Sequence, residues 1–150
     1  MHYLTVEEAL ALHAIAVRQS GGSAGVREVG TLTGCLERPK AAFGGKDMYA
    51  TMWEKASVYL DSIARNHPFI DGNKRTAFLC AVAFIHKNGY EPALSDRDIV
   101  DGVLWVVTKK PPIGEINLNA VHFGYTDRSL AVFFLQTDNH FILRFSFKIY

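Results

Sequence analysis

A chain of 150 residues is long enough for one domain with a real hydrophobic core. Apolar residues make up 49% and charged residues 21%, which places it among globular chains rather than disordered or fibrous ones. A formal net charge of +1 gives no global electrostatic case for nucleic-acid or membrane binding, and no apolar run reaches membrane-spanning length.

The first ten residues, MHYLTVEEAL, carry acids where an export signal carries bases, so no export is expected. Thr5 and Glu8 form a capping box. Ala9, Leu12, Ile15 and Ala16 follow at helical spacing, and Gly21-Gly22 ends the helix. A short helix is expected over residues 32–38, stopped by Pro39. Residues 41–50 have glycines, mixed polarity and no period, and read as a mobile loop. Thr51 and Glu54 form a second capping box. Met52, Ala56, Tyr59, Leu60 and Ile63 then give the apolar stripe of a helix ending near Asn66. Another helix is expected from about Asn73 to Lys87, with Asn88-Gly89 as its stop, and a further one from Ser95 through Val107, broken by Pro111-Pro112. Cys35 and Cys80 are isolated and suit a reducing, cytoplasmic setting better than a disulfide framework.

The character changes near the C-terminus. Phe141, Leu143, Phe145, Phe147 and Ile149 are apolar at odd positions, a period of two that argues strand. Residues 129–136 are a second β-prone run, and residues 137–140 are turn-like between them. A C-terminal β-hairpin is the expectation.

The densest chemistry is HPFIDGNKRT, residues 67–76, placed directly before an apolar run. Gly72 allows a tight turn, and Asn73, Lys74, Arg75 and Thr76 form the first turn of the next helix. That end of a helix presents open N–H groups and a positive dipole, so two cations there conflict with the helix itself. An anionic ligand, phosphate above all, resolves the conflict. His67 can take a proton from an attacking hydroxyl, and the Asp71 carboxylate suits Mg²⁺ beside phosphates. A blander reading competes. Asp71-Gly72 is a common turn pair, Lys74 and Arg75 can be solvated, and a loop histidine is usually structural. No third ligand stands at local spacing for a transition metal, and GNKRT is not a P-loop.

These ten residues resemble the signature of the Fic/Doc superfamily, His-x-Phe-x-Asp/Glu-Gly-Asn-Gly-Arg, with Lys74 in place of the second glycine as in the Doc (death-on-curing) branch. The similarity runs from residue 4 to about residue 116 and takes in GGSAGVRE, LERPKAAFGG and NGYEP. The resemblance implies an all-α fold, a bundle of about six helices over residues 1–116 with the motif loop between two central helices. It leaves residues 117–150 as a non-family extension, the expected β-hairpin.

The resemblance also assigns roles. His67 is expected to be the catalytic base and Asp71 the Mg²⁺ ligand. Gly72, Asn73, Lys74 and Arg75 are expected to hold the phosphates of ATP, with Phe69 as the buried ring that secures the loop. Residues 41–49 fall where the family has a flap that positions the target. The expected function is that of a toxin moving the γ-phosphate of ATP to a hydroxyl of a translation factor such as elongation factor Tu. Its expected partner is an antitoxin acting in trans, because the nearest self-inhibitory pattern, Thr33 to Glu37, is followed by Arg38. AMP transfer is the alternative chemistry, and a non-catalytic nucleotide- or antitoxin-binding protein is the alternative class. Three readings of the extension stay open: an accessory hairpin on the helical core, which is favoured, a strand-pairing surface for another copy, or a non-homologous end from a shifted reading frame.

Overall fold

The structure, a computed structural model, describes residues 1–90, 108–110, 112–113, 132–137 and 140–145. Four α-helices lie among them: α1 (Val6–Ser20), α2 (Val29–Glu37), α3 (Met52–Asn66) and α4 (Asn73–Lys87). A 3₁₀ turn, Arg38–Lys40, and two short strands, β1 (Ala42–Phe43) and β2 (Lys46–Asp47), connect α2 to α3. The expected all-α class holds for this helical body, whereas the count of about six helices is not reached among the described residues. The helix expected from Ser95 through Val107 and the boundary near residue 116 lie outside them. No helix among the described residues is long and apolar enough to cross a membrane.

Local chemistry sets the helix starts. Thr5 Oγ1 accepts from the Glu8 N–H at 3.2 Å, and Glu8 Oε2 accepts from the Thr5 N–H at 2.8 Å. Thr51 and Glu54 repeat the arrangement at the start of α3, at 3.1 and 2.8 Å. Each box satisfies two backbone donors that the helix cannot satisfy itself. Gly21, at φ 70°, ends α1 by donating its N–H to the Val17 carbonyl.

The core is built around α3 and α4, with α1 packed on α4 and α2 on α3. The expected stripe of α3 is buried, but burial goes further: every residue from 55 to 64 is buried. Ala56, Val58, Tyr59, Ile63 and Ala64 have no exposed surface. A helix covered on all sides is the centre of its domain rather than a half-exposed flank. It carries one buried acid, Asp61, which pairs with Arg38 at 2.6 Å and with Arg65 at 2.5 Å. Arg38 also donates to Ser62 Oγ at 2.9 Å. The pairing fixes the 3₁₀ turn on α3, since a buried carboxylate tolerates neither solvent loss nor isolation. At the far end, the Asn88 side chain accepts from the His2 N–H at 2.8 Å and donates to the His2 carbonyl at 3.0 Å, strapping the N-terminus to the end of α4.

Two expectations are corrected. The short helix begins at Val29, earlier than residue 32, and Pro39 does not simply terminate it; the chain tightens into the 3₁₀ turn, where Pro is tolerated at the start. Residues 41–50 are not a structureless loop. β1 and β2 pair antiparallel, Ala42 opposite Asp47 and Phe43 opposite Lys46. Gly44 and Gly45 adopt consecutive positive φ of 57° and 76°, the backbone that a two-residue hairpin turn requires.

In the C-terminal segment, β3 (Val132–Thr137) pairs antiparallel with β4 (His140–Phe145). Val132 lies opposite Phe145, Phe134 opposite Leu143 and Thr137 opposite His140. His140 therefore belongs to a strand, not to the expected turn.

The α3 cap gives a direct check. Thr51→Ala removes the acceptor for the Glu54 N–H and is expected to cost about 1 kcal/mol. Thermal unfolding followed by circular dichroism should show a midpoint a few degrees lower; an unchanged midpoint would mean that the box contributes nothing.

Candidate active site

The connection between α3 and α4, residues 67–72, is held along both of its edges. On one edge it pairs with residues 25–28. Val26 bridges Phe69, the Ile70 N–H donates to the Gly25 carbonyl at 3.0 Å, and the Arg27 N–H donates to the Pro68 carbonyl at 2.7 Å. In such a bridge the N–H and C=O of Phe69 point the other way. There they meet one side chain. Asn73 Oδ1 accepts from the Phe69 N–H at 2.8 Å, and Asn73 Nδ2 donates to the Phe69 carbonyl at 2.9 Å. The amide of Asn73 thus imitates the peptide group of a neighbouring strand.

Beneath the loop, the Phe69 ring is fully buried and stacks on His13 of α1, with centroids 4.0 Å apart and planes within 13°. His13 Nε2 accepts from the Gly25 N–H at 3.4 Å. A neutral imidazole with an accepting Nε2 carries its proton on Nδ1, so Nδ1–H donates to Thr76 Oγ1, 3.2 Å away. Burial pushes the His13 pKa down; Asp71 pulls it up and Arg75 pushes it down, and the net direction is down. His13 is therefore held neutral, and it joins α1, the 25–28 segment, the motif loop and α4.

Two glycines allow the close packing. Gly72 is the N-cap of α4 at φ 70°, and a Cβ there would lie 3.4 Å from Val17 Cγ2. Gly22 runs over the Asp71 carboxylate, where a Cβ would collide with Asp71 Oδ2. The Gly21-Gly22 pair therefore does more than stop α1: its second member makes room for the acid.

The opposite face carries the exposed polar side chains. His67 caps α3 in the left-handed region, φ 49° and ψ 55°. Among the described residues only His67 and Lys110 have a side chain and a positive φ. The residue before a proline favours extended backbone, so this conformation is imposed by the surrounding pairing. Asp71 accepts from the Gly72 N–H at 2.5 Å. Lys74 and Arg75 stand exposed on the first turn of α4, which contains no acid and no side-chain cap. Arg75 Nη1 reaches the Ala16 carbonyl at 3.4 Å, at the end of α1, where a cation is favourable.

The seven residues expected to form the site therefore divide. His67, Asp71, Lys74 and Arg75 are exposed together, whereas Phe69, Gly72 and Asn73 are buried beneath them. Phe69 is the enclosed ring that the resemblance implies, and one expectation is corrected. Both polar atoms of the Asn73 side chain are committed to the loop, so its backbone N–H is what faces outward from the first turn. A carboxylate in this setting does not make a metal cage: no cluster of three His, Cys, Asp or Glu side chains exists among the described residues. It does fit Mg²⁺ in the mode in which one carboxylate and a nucleotide's phosphates share the ion with water.

Sequence reasoning missed His13 and Lys55. Both are polar residues within apolar helix stripes. His13 follows Ala9 by four and precedes Ala16 by three; Lys55 follows Met52 by three and precedes Tyr59 by four. A titratable group at a core position was the available signal.

Fold and loop together define a small helical domain that gathers anion-binding groups at one helix N-terminus, behind a histidine and beside a carboxylate. The chain belongs to the Fic/DOC family, whose model matches residues 3–85. It is 43% identical over 97 residues to "Toxin Doc" of Mycolicibacterium smegmatis, covering 65% of this chain and 72% of that protein. It is 29% identical over 121 residues to "Protein kinase doc" of Escherichia phage P1, covering 81% of this chain and 90% of that one.

Two measurements test the support beneath the loop. Asn73→Ala leaves the Phe69 N–H and carbonyl without partners and is expected to cost about 3 kcal/mol in urea unfolding; a loss well under 1 kcal/mol would show that water replaces the amide. His13 predicts a pH dependence. Its folded pKa lies below the ordinary 6.5, so below that value the unfolded chain binds the proton more readily. Its contribution to stability is complete above the ordinary value and is lost as pH falls from there through the depressed folded value. His13→Asn should flatten the stability profile across that window; an unchanged slope would assign it to other groups.

Proposed function

We propose that the chain is the toxin of a toxin–antitoxin pair and transfers the γ-phosphate of ATP to a hydroxyl side chain of a protein, with elongation factor Tu as the first candidate. The observation that carries this reading is the composition of the exposed rim: a base, one carboxylate and two cations at an uncapped helix N-terminus, all on a loop fixed from below. The name of the phage relative, a protein kinase, supports phosphoryl transfer. The name of the mycobacterial relative supports the toxin role.

In this reading the first-turn N–H groups of α4, Lys74 and Arg75 hold the phosphates and balance the charge that spreads over them. Mg²⁺, when bound through Asp71, neutralises phosphate charge and fixes the orientation of the phosphate chain. In this reading His67 accepts the target's hydroxyl proton as that oxygen bonds to the γ-phosphorus. The bond from phosphorus to the bridging oxygen breaks, and ADP leaves with the electron pair. Lys74 decides which phosphate moves. A long cationic side chain fills space that a glycine would leave open and draws the terminal phosphate to itself. Inhibition in trans is favoured by the pairing around the nearest self-inhibitory pattern: Glu37 is paired with Lys40 at 2.6 Å and Arg38 with Asp61.

Incubation of elongation factor Tu with the chain and Mg-ATP, followed by intact-protein mass spectrometry, tests the reaction. The expected gain is about 80 Da; about 329 Da would make it adenylyl transfer instead. His67→Ala should slow the reaction by at least about 100-fold. Growth arrest on expression that survives His67→Ala would replace the enzyme reading with a binding one.

A further inference from the structure

Gly21 and Gly22 are adjacent, but they are glycines for different reasons. Gly21 takes φ 70° to end α1, and a Cβ there would stand in open space. Its backbone asks for glycine. Gly22 lies outside the left-handed region, so its backbone makes no such demand. What excludes a side chain at position 22 is Asp71. A Cβ there would collide with Oδ2 and stand 3.1 Å from Cγ, whereas Arg75 Nη2, at 3.8 Å, would be in ordinary contact.

Asp71 is held from its other side by the motif loop, where Oδ1 accepts from the Gly72 N–H at 2.5 Å. The carboxylate is thus lodged between a loop amide and the chain leaving α1. One oxygen is fixed by a hydrogen bond and the other lies against a bare Cα. No ion pair among the described residues draws it toward Arg75 or any other cation. Its orientation therefore rests on these two neighbours. The end of α1 has little freedom to retreat from an added methyl group, because it is fastened to the rim elsewhere. Arg75 Nη1 donates to the Ala16 carbonyl at 3.4 Å, and Val17 packs against Gly72. The carboxylate is the part that can yield: it is the far end of a rotatable, exposed side chain. A methyl group at position 22 would turn Asp71 away at little cost to the fold.

We propose that Gly22 is a positioning residue for the divalent cation: by carrying no side chain, it lets Asp71 keep the orientation in which its carboxylate serves the Mg²⁺ of the nucleotide. The inference rests on the transferase reading above and adds to it a residue far outside the ten-residue motif. It also separates two parts of nucleotide binding. The cations of the rim keep their places whatever stands at position 22, and only the metal-dependent part answers to Gly22.

Binding of the non-hydrolysable ATP analogue AMP-PNP is measured by calorimetry with Mn²⁺ and again in EDTA. Mn²⁺ should tighten binding by the wild-type chain. In Gly22→Ala that gain should fall about tenfold, while affinity in EDTA stays within about twofold of wild type. Asp71→Asn should lose the gain, and Gly22→Ala added to it should change nothing further; two independent losses overturn the assignment. A second readout needs neither metal nor nucleotide. Hydrogen exchange at the Gly72 amide, read by NMR, should accelerate about tenfold in Gly22→Ala, because its acceptor has turned away. The Thr76 amide, which donates to the Gly72 carbonyl at 2.9 Å, should keep its wild-type rate. Wild-type exchange at Gly72, or faster exchange at both amides, overturns the proposal, the second because it reports a loosened helix start. If Mn²⁺ adds nothing to wild-type affinity, the metal role of Asp71 is refuted and the proposal falls with it. If Mn²⁺ adds the same gain to both chains, the transferase reading stands and the assignment of Gly22 alone falls.

Discussion

The site depends on one pair of hydrogen bonds, those from the Asn73 amide to both backbone groups of Phe69. A short loop between two buried helices has polar groups on both edges and no second strand to take them. The 25–28 segment satisfies one edge. Without Asn73 the other edge would be buried and unpaired, and the loop would have to open to water. With it, Phe69 can be driven fully into the core, and the backbone on either side of the ring is committed to one path. His67 and Asp71 flank that ring, so their placement follows from it.

His13 extends the same logic one layer deeper. Its ring gives Phe69 a flat face to stack on, and its two nitrogens join a loop amide to a helix hydroxyl. Acceptance from the Gly25 N–H by Nε2 requires the neutral ring, which burial favours. Gly22 and Gly72 then let the backbone of α1 and the cap of α4 close around the acid and the ring. The scaffold beneath the loop is thus a set of mutually dependent short-range contacts drawn from four parts of the chain.

Much of this was legible in the sequence where the cause is local. Both capping boxes, the Gly21 stop and the limits of α3 and α4 follow from residues within a few positions of each boundary. The density of residues 67–76 marked the site for the same reason. What was not legible has distant causes. The hairpin at residues 42–47 has no alternation to announce it, and it is held by a lysine eight residues downstream of Asp47 whose burial depends on the whole fold. Asn73 looks like a ligand contact because a polar side chain at a helix start ordinarily faces solvent. Only the orientation of Phe69 shows that it faces inward. His13 and Lys55 are single polar residues in apolar stripes, and periodicity treats them as interruptions.

The division between an enclosed support and an exposed rim has a consequence for how such a chain can change. Lys74 stands exposed on the first turn of α4, and no described contact makes the fold depend on it. Position 74 can therefore exchange one side chain for another while Asn73, Phe69 and His13 go on holding the loop. The exposed rim and its support are encoded on adjacent residues yet are nearly independent of each other. A lineage built on this scaffold can change the charges at its rim by single replacements, without passing through an unfolded ancestor.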